Sequence, residues 1–292
     1  VGVATEKGVT VSGVPADAFD LQALRLDLAD TCWTAIEHFN EIASTNTHAM
    51  RAGVDGAEHG TVYIADAQTG GRGRGAHAWA SPAGSGLYVS MLLRPALAPG
   101  DALWLSLAAG VAAQAAVRSV AADSKRGLKV GPDLRVDLRW PNDLLVGTRK
   151  LGGVLTEMQA EATRVRFVVV GIGINVHQQS FPAELATGAT SLAIEQIATT
   201  RQRLLLALLR AVHHEVQALT AVTAEARTLA QQQLRIRLEQ GSSWMRGKRV
   251  HVGEENAYVG TTEGLDARGF LLVRTDAGEL RTVLSGGVRA AE

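Results

Sequence analysis

From Gly71 to Trp79 the sequence reads GRGRGAHAW, placing two arginines among three glycines. Glycines let successive backbone N–H groups turn toward one anion, and Arg72 and Arg74 add forked, permanently charged donors suited to phosphate or carboxylate. The segment reads either as a loop that orders over an anion or as a solvated loop whose arginines do nothing specific. It is not a P-loop, because G-x-x-x-x-G-K-[ST] occurs nowhere, and Ala76 breaks G-x-G-x-x-G. RNA-binding RG tracts are repeated, and this one is not. Trp79 closes the loop as a core residue or as a ring on which a nucleobase stacks.

Two further clusters carry chemistry. Arg139-Trp140-Pro141-Asn142-Asp143 and Arg149-Lys150-Leu151-Gly152-Gly153 lie on neighbouring arms of a turn-linked apolar stretch, which could aim the Asp143 carboxylate and the Lys150 ammonium at one pocket. Each could equally be a surface turn charge. Ser44-Thr45-Asn46 reads first as the N-cap of a helix over residues 47–51, and Asn175 reads first as a turn former. His213 and His214 are adjacent on a helical stretch, point to different sides and form no metal motif. The single cysteine, Cys32, rules out a disulfide framework and fits a reducing cytoplasm.

The elements that must position these residues follow from periodicity. A short helix is expected around residues 21–28, strands over 61–67 and 87–94, and a core helix over 101–122 capped by Asp101. The stretch from 103 to 117 is interrupted by Ser106, Gly110 and Gln114 and reads as too short and polar to span a bilayer. A hairpin around the turns at 141–143 and 147–148 and a β-branched strand ending in GIGIN come next. One long helical region covers about 200–238, and four short strand candidates follow Gly241. The reading divides the chain into an N-terminal extension over 1–35, a main domain over 36–238 and a small barrel over 239–292. Lys plus Arg and Asp plus Glu balance at 29 each in 292 residues, so no global field draws the chain to nucleic acid or an anionic membrane.

Taken in order, STN, Q-x-G-x-R-G-R ending in Trp, WPND, RKLGG and GIGIN resemble the biotin protein ligases from about Phe39 onward. The resemblance implies an α+β fold: a mixed sheet flanked by helices, related to class II aminoacyl-tRNA synthetases, with a C-terminal SH3-like β barrel. It implies ATP-dependent activation of biotin as biotinyl-5′-AMP, with Mg2+, and transfer to a lysine of a biotin carboxyl carrier domain. Carried over residue by residue, Ser44, Thr45, Asn46 and Gln68 resemble the biotin ureido site. Arg72 and Arg74 resemble the ordering loop, Trp79 the adenine wall, and Asn142 and Asn175 the nucleotide side. Lys150 resembles the lysine between carboxyl and α-phosphate, while Gly153, Gly171 and Gly173 admit the ligand to the backbone. Lys150, Arg74 and Asp143 are the expected catalytic residues, Asp143 near a metal or the acceptor lysine. The metal ligands are not assigned.

The loop departs from the family pattern at Ala76 and His77, Arg139 stands for the usual lysine, and Arg289 receives no nucleotide role because the C-terminal motif is short. The stretch before Ser44 is expected to be too short for a DNA-binding domain. Monomer and homodimer stay open. One rival is a lipoate or octanoate ligase of the same fold, whose R-R-x-x-G-G-G motif is missing here; another is a non-catalytic nucleic-acid-binding module.

Overall fold

A computed structural model describes residues 17–124, 134–185, 187–253, 257–284 and 287–291. Its centre is the most β-branched segment of the chain. Strand β7 (Val165–Asn175) occupies the middle of a seven-stranded sheet ordered β1-β2-β3-β7-β6-β5-β4. A strand covered on both faces reads as a near-continuous apolar run, as VRFVVVGIGIN does. Its neighbours are β3 (Gly86–Leu93) and β6 (Arg149–Ala160), both antiparallel to it. On one side β1 (Ala35–Ile42) pairs parallel with β2 (Thr61–Gln68) through the crossover helix α2 (Thr45–Val54). On the other, β4 (Val136–Arg139), β5 (Asp143–Val146) and β6 form an antiparallel meander, one strand more than a simple hairpin.

Helices cover both faces. Against one lies α2, with Ala49 packed among Tyr63, Leu92, Phe167 and Val169. Against the other lies α3 (Ala102–Ser124), backed by α4 (Arg201–Leu219). By length and composition 99–124 could cross a membrane, which the stretch from 103 to 117 did not suggest; here most of its apolar window is buried in the core. Asp101, expected to cap it, is instead the last residue of a 3-10 turn over Pro99–Asp101 that runs straight into the helix.

The expected long helix over 200–238 is two helices. Thr220 donates back to Val216 O, and Thr223 caps a new helix, α5 (Ala224–Gly241), by accepting from Ala226 N. A hydroxyl that competes for backbone groups ends one helix and starts the next. The short helix α1 (Leu21–Asp27) lies where expected. Arg201 at the start of α4 is 4% exposed and donates to Asp17 and Asp66 at 2.7 Å each, tying the N-terminal segment to β2. Periodicity gave no sign of this pair of contacts, which joins residues far apart in sequence.

Beyond α5, five strands form a second, antiparallel sheet, as the barrel reading requires: β8 (Arg246–Val252), β9 (Tyr258–Leu265), β10 (Leu271–Thr275), β11 (Leu280–Val283) and β12 (Val288–Ala290). Only the short β12 was missed. This sheet is fastened next to the WPND turn. Trp140 Nε1 donates to Gly269 O at 3.1 Å, Ser243 donates to the Asp137 carboxylate, and the Trp244 ring lies 5.4 Å from the Arg139 guanidinium.

Candidate active site

Period-two alternation aims Tyr88 and Ser90 of β3, Gly171 and Gly173 of β7, and Gly153, Leu155 and Glu157 of β6 to the α2 side of the sheet. Where they meet the N-terminus of α2 and the 71–79 loop, a cavity opens with about 470 Å³ of space, its mouth included. Ser44, Thr45, Asn46, Gln68, Arg72, Arg74, Trp79, Asn142, Lys150, Gly153, Gly171 and Gly173 all line it. Residues picked from motifs that span half the chain thus converge on one pocket.

The floor is a chain of hydrogen bonds. Ser44 caps α2, and Thr45 N donates to Gln68 Oε1 at 2.8 Å. Gln68 Nε2 donates to Ser81 Oγ, which donates to Trp79 O. Ser90, 0% exposed, lies 2.8 Å from both Thr45 Oγ1 and Asn46 Oδ1. Asn46 Nδ2 reaches Leu155 O at 3.4 Å and Glu157 Oε2 at 2.8 Å. These are buried polar groups arranged to receive a polar head group.

The glycines are steric necessities. A Cβ on Gly171 would lie 2.0 Å from Asn46 Oδ1, and one on Gly173 would lie 2.6 Å from Trp79 Nε1. The Trp79 indole thus rests directly on β7 backbone. Its N–H is buried and has no acceptor among the described residues, which costs roughly 1–3 kcal/mol unless a bound group accepts.

Lys150 marks the inner end of the rim. Its Nζ lies 2.6 Å from Asp143 Oδ1 and 5.4 Å from the Trp79 ring centre. Arg139 takes the other Asp143 oxygen through Nε and Nη2. Burial by itself raises the Asp143 pKa, but Lys150 and Arg139 together outweigh it and hold the carboxyl below its ordinary value of 3.8. The backbone of Lys150 is fixed on both sides, its N–H donating to Gly188 O at 2.8 Å and its carbonyl accepting from Thr190 N at 2.9 Å.

Asp143 and Asn175 do not line the cavity. Asp143 holds Lys150 from behind. Asn175 spends its amide on Thr190 O and Gln178, so in this structure it steadies the segment beside Lys150. Asn142 keeps its place on the wall while its Nδ2 donates to Val154 O. The loop is a tight hairpin: Arg72 bridges to Ala78, Gly73 N donates to His77 O, and Gly75 takes a φ of 64°. His77 is exposed. Arg289 lies on β12.

Ser90 and Glu157 were missed by the sequence reading. Each left a signal, since Ser90 is the only polar residue in LYVSMLL and Glu157 follows Gly153 and Leu155 at period two. Among the described residues no group of three His, Cys, Asp or Glu side chains gathers to hold a metal.

The family model for the biotin/lipoate A/B protein ligase family matches residues 39–175, and that for the biotin protein ligase C-terminal domain matches 247–288. A biotin–[acetyl-CoA-carboxylase] ligase from Mycobacterium tuberculosis is 36% identical over 196 residues, covering 65% of this chain and 68% of that protein. The chain belongs to the biotin/lipoate protein ligase family. A biotin protein ligase from Aquifex aeolicus, solved with biotin and ATP, superposes with a TM-score of 0.71 at 27% identity, covering 89% of this chain and 100% of that one. The bifunctional ligase/repressor BirA of Bacillus subtilis is 41% identical over 154 residues, 52% of this chain. The chain spans 44% of the length of that relative. The Arg139 fork serves Asp143.

Proposed function

We propose that the protein is an ATP-dependent biotin protein ligase. The observation that carries the reading is the convergence of Ser44, Thr45, Asn46 and Gln68 at one end of a cavity whose other walls include Trp79, Arg74 and Lys150. The polar end suits the ureido head of biotin, which offers a carbonyl acceptor and two N–H donors. A dithiolane or plain alkyl chain offers those polar groups no hydrogen bond in exchange for the water it displaces. That favours biotin over lipoate or octanoate.

In the first step a biotin carboxylate oxygen attacks the α-phosphorus of ATP, the bond to the bridging oxygen breaks, and pyrophosphate leaves with the electron pair. Two anions must approach for this to happen. Lys150, held by Asp143 at the inner rim, is positioned to offset that repulsion with a fixed charge, and a preorganised charge need not be reorganised during the reaction. Trp79 forms the adenine-side wall. In the second step the neutral amine of an acceptor lysine attacks the acyl carbonyl of biotinyl-5′-AMP; an amide forms, the anhydride bond breaks and AMP leaves, a proton being lost from the nitrogen. The acceptor is a biotin carboxyl carrier domain.

Mg2+ belongs to the reading as the companion of ATP, but among the described residues no side chains form a cage for it. Both Asp143 oxygens are already engaged by Lys150 and Arg139, so no step is routed through a metal.

The test is incorporation of biotin into a purified apo carrier domain. ATP-dependent labelling of the carrier lysine supports the reading. Labelling that survives replacement of that lysine with arginine, or fails with fresh ATP, contradicts it. The nucleic-acid reading has little support, since Arg72 is neutralised by Glu157 and the chain carries no net charge.

A further inference from the structure

The hydrogen bonds of the cavity floor begin and end in the same loop. From Trp79 O the path runs through Ser81 and Gln68 to Thr45, across Ser90 to Asn46, and through Glu157 to Arg72. Glu157 is the only link whose two oxygens serve both sides. Its Oε2 accepts from Asn46 Nδ2 at 2.8 Å and faces Arg72 Nη1 at 3.4 Å, while Oε1 takes Arg72 Nη2 at 3.0 Å.

Resting on the biotin reading above, we propose that Glu157 is a positioning and specificity-determining residue, which fixes the polarity of the ureido floor and clips the arginine loop to it. The chemistry follows from who can donate. A carboxylate only accepts, so Asn46 must turn its NH2 toward Glu157 and Leu155 O and its Oδ1 toward Ser90. Ser90 has one hydrogen, for which Asn46 Oδ1 and Thr45 Oγ1 are the acceptors at 2.8 Å each, and its lone pairs remain for a ligand N–H. One carboxylate thus decides which floor atoms accept. On the other side, the pair with Glu157 makes Arg72 a clip whose charge is compensated, and the loop is docked before ligand arrives.

Glu157→Gln separates the two roles. Its amide oxygen can still accept from Asn46, but its NH2 then faces the Arg72 guanidinium, donor against donor. Glu157→Ala removes both contacts. The first readout needs no ligand: trypsin nicking after Arg72 or Arg74 in the full chain, which follows loop opening. Nicking is expected to be about tenfold faster in Glu157→Gln, the loss of one charge-assisted pair. Arg72→Gln, at a half-exposed position that folding tolerates, should speed nicking after Arg74 equally, and the double variant should be no faster than either single one. The second readout is pyrophosphate exchange, in which KM for biotin should rise more than kcat falls, and more in Glu157→Ala than in Glu157→Gln.

Nicking within twofold of wild type in both Glu157→Gln and Arg72→Gln, or effects that simply add in the double variant, overturns the proposal. So does a biotin KM unchanged in Glu157→Ala. Should wild type show no biotin-stimulated exchange, the biotin reading fails while the nicking comparison still tests the clip.

Discussion

Gly171 leaves the space that Asn46 fills: a Cβ there would lie 2.0 Å from Asn46 Oδ1. Asn46 cannot step aside freely, because Leu155 O, Glu157 and Ser90 all engage its amide. Gly171→Ala should therefore dislodge the floor while the sheet persists. We expect the biotin KM in pyrophosphate exchange to rise about 10- to 100-fold, the value of one or two buried hydrogen bonds. A KM within twofold of wild type would show that Asn46 takes no part in binding.

Asp143→Asn should cost roughly 1.5–3 kcal/mol of unfolding free energy at pH 7, because two partly exposed cations lose a charged hydrogen-bond partner. The pH dependence has a definite sign. A carboxyl whose folded pKa is depressed stabilises the fold above its unfolded value and loses that contribution as pH falls through the folded value. The stability gap between wild type and Asp143→Asn should therefore shrink as pH drops below 3.8. Denaturant titrations at pH 7 and at low pH measure it, and a gap that widens in acid would contradict the ion-pair account.

How much of this was legible in the sequence depended on the distance over which the forces act. The strands expected over 61–67 and 87–94 and the Ser44 cap were readable because local alternation and turn chemistry announce them, whereas the pocket residues were legible only through the order of the motifs and the family they resemble. The break at Thr220–Thr223 was not, because hydroxyls that end a helix also sit within helices. Glu157 and Ser90 lay within readable strands, yet their importance comes from neighbours across the sheet. Arg201 joins Asp17 and Asp66 over more than a hundred residues, a pairing that periodicity does not encode. Asn175, read as a nucleotide contact, instead braces Thr190 here, since its amide meets a backbone carbonyl before it meets the cavity.

Trp140→Phe tests how the C-terminal sheet is fastened. It keeps an aromatic ring in the core, though a smaller one than indole, and removes the donor to Gly269 O, leaving that carbonyl without it. The expected loss is roughly 1–3 kcal/mol in chemical unfolding. Unchanged stability would mean that this contact does not hold the two parts together.

Cys32 should be an unreactive thiol. Burial pushes its pKa up to about 11, so at pH 8 almost none is thiolate, and the thiolate is the nucleophile. Reaction with a thiol reagent at pH 8 should be at least about tenfold slower than for a free cysteine of pKa near 8.5, and should speed up steeply with added denaturant. Reaction at the free rate in the native protein would contradict the burial described here.

The central claim is tested most directly by ATP–pyrophosphate exchange with biotin, lipoate and octanoate as the acid, in wild type and in Lys150→Ala. The account predicts exchange with biotin alone, reduced about 100-fold or more in Lys150→Ala by loss of a fixed charge at the reacting anions. Biotin binding should survive in that variant. No stimulation by biotin, or full exchange in Lys150→Ala, would contradict it.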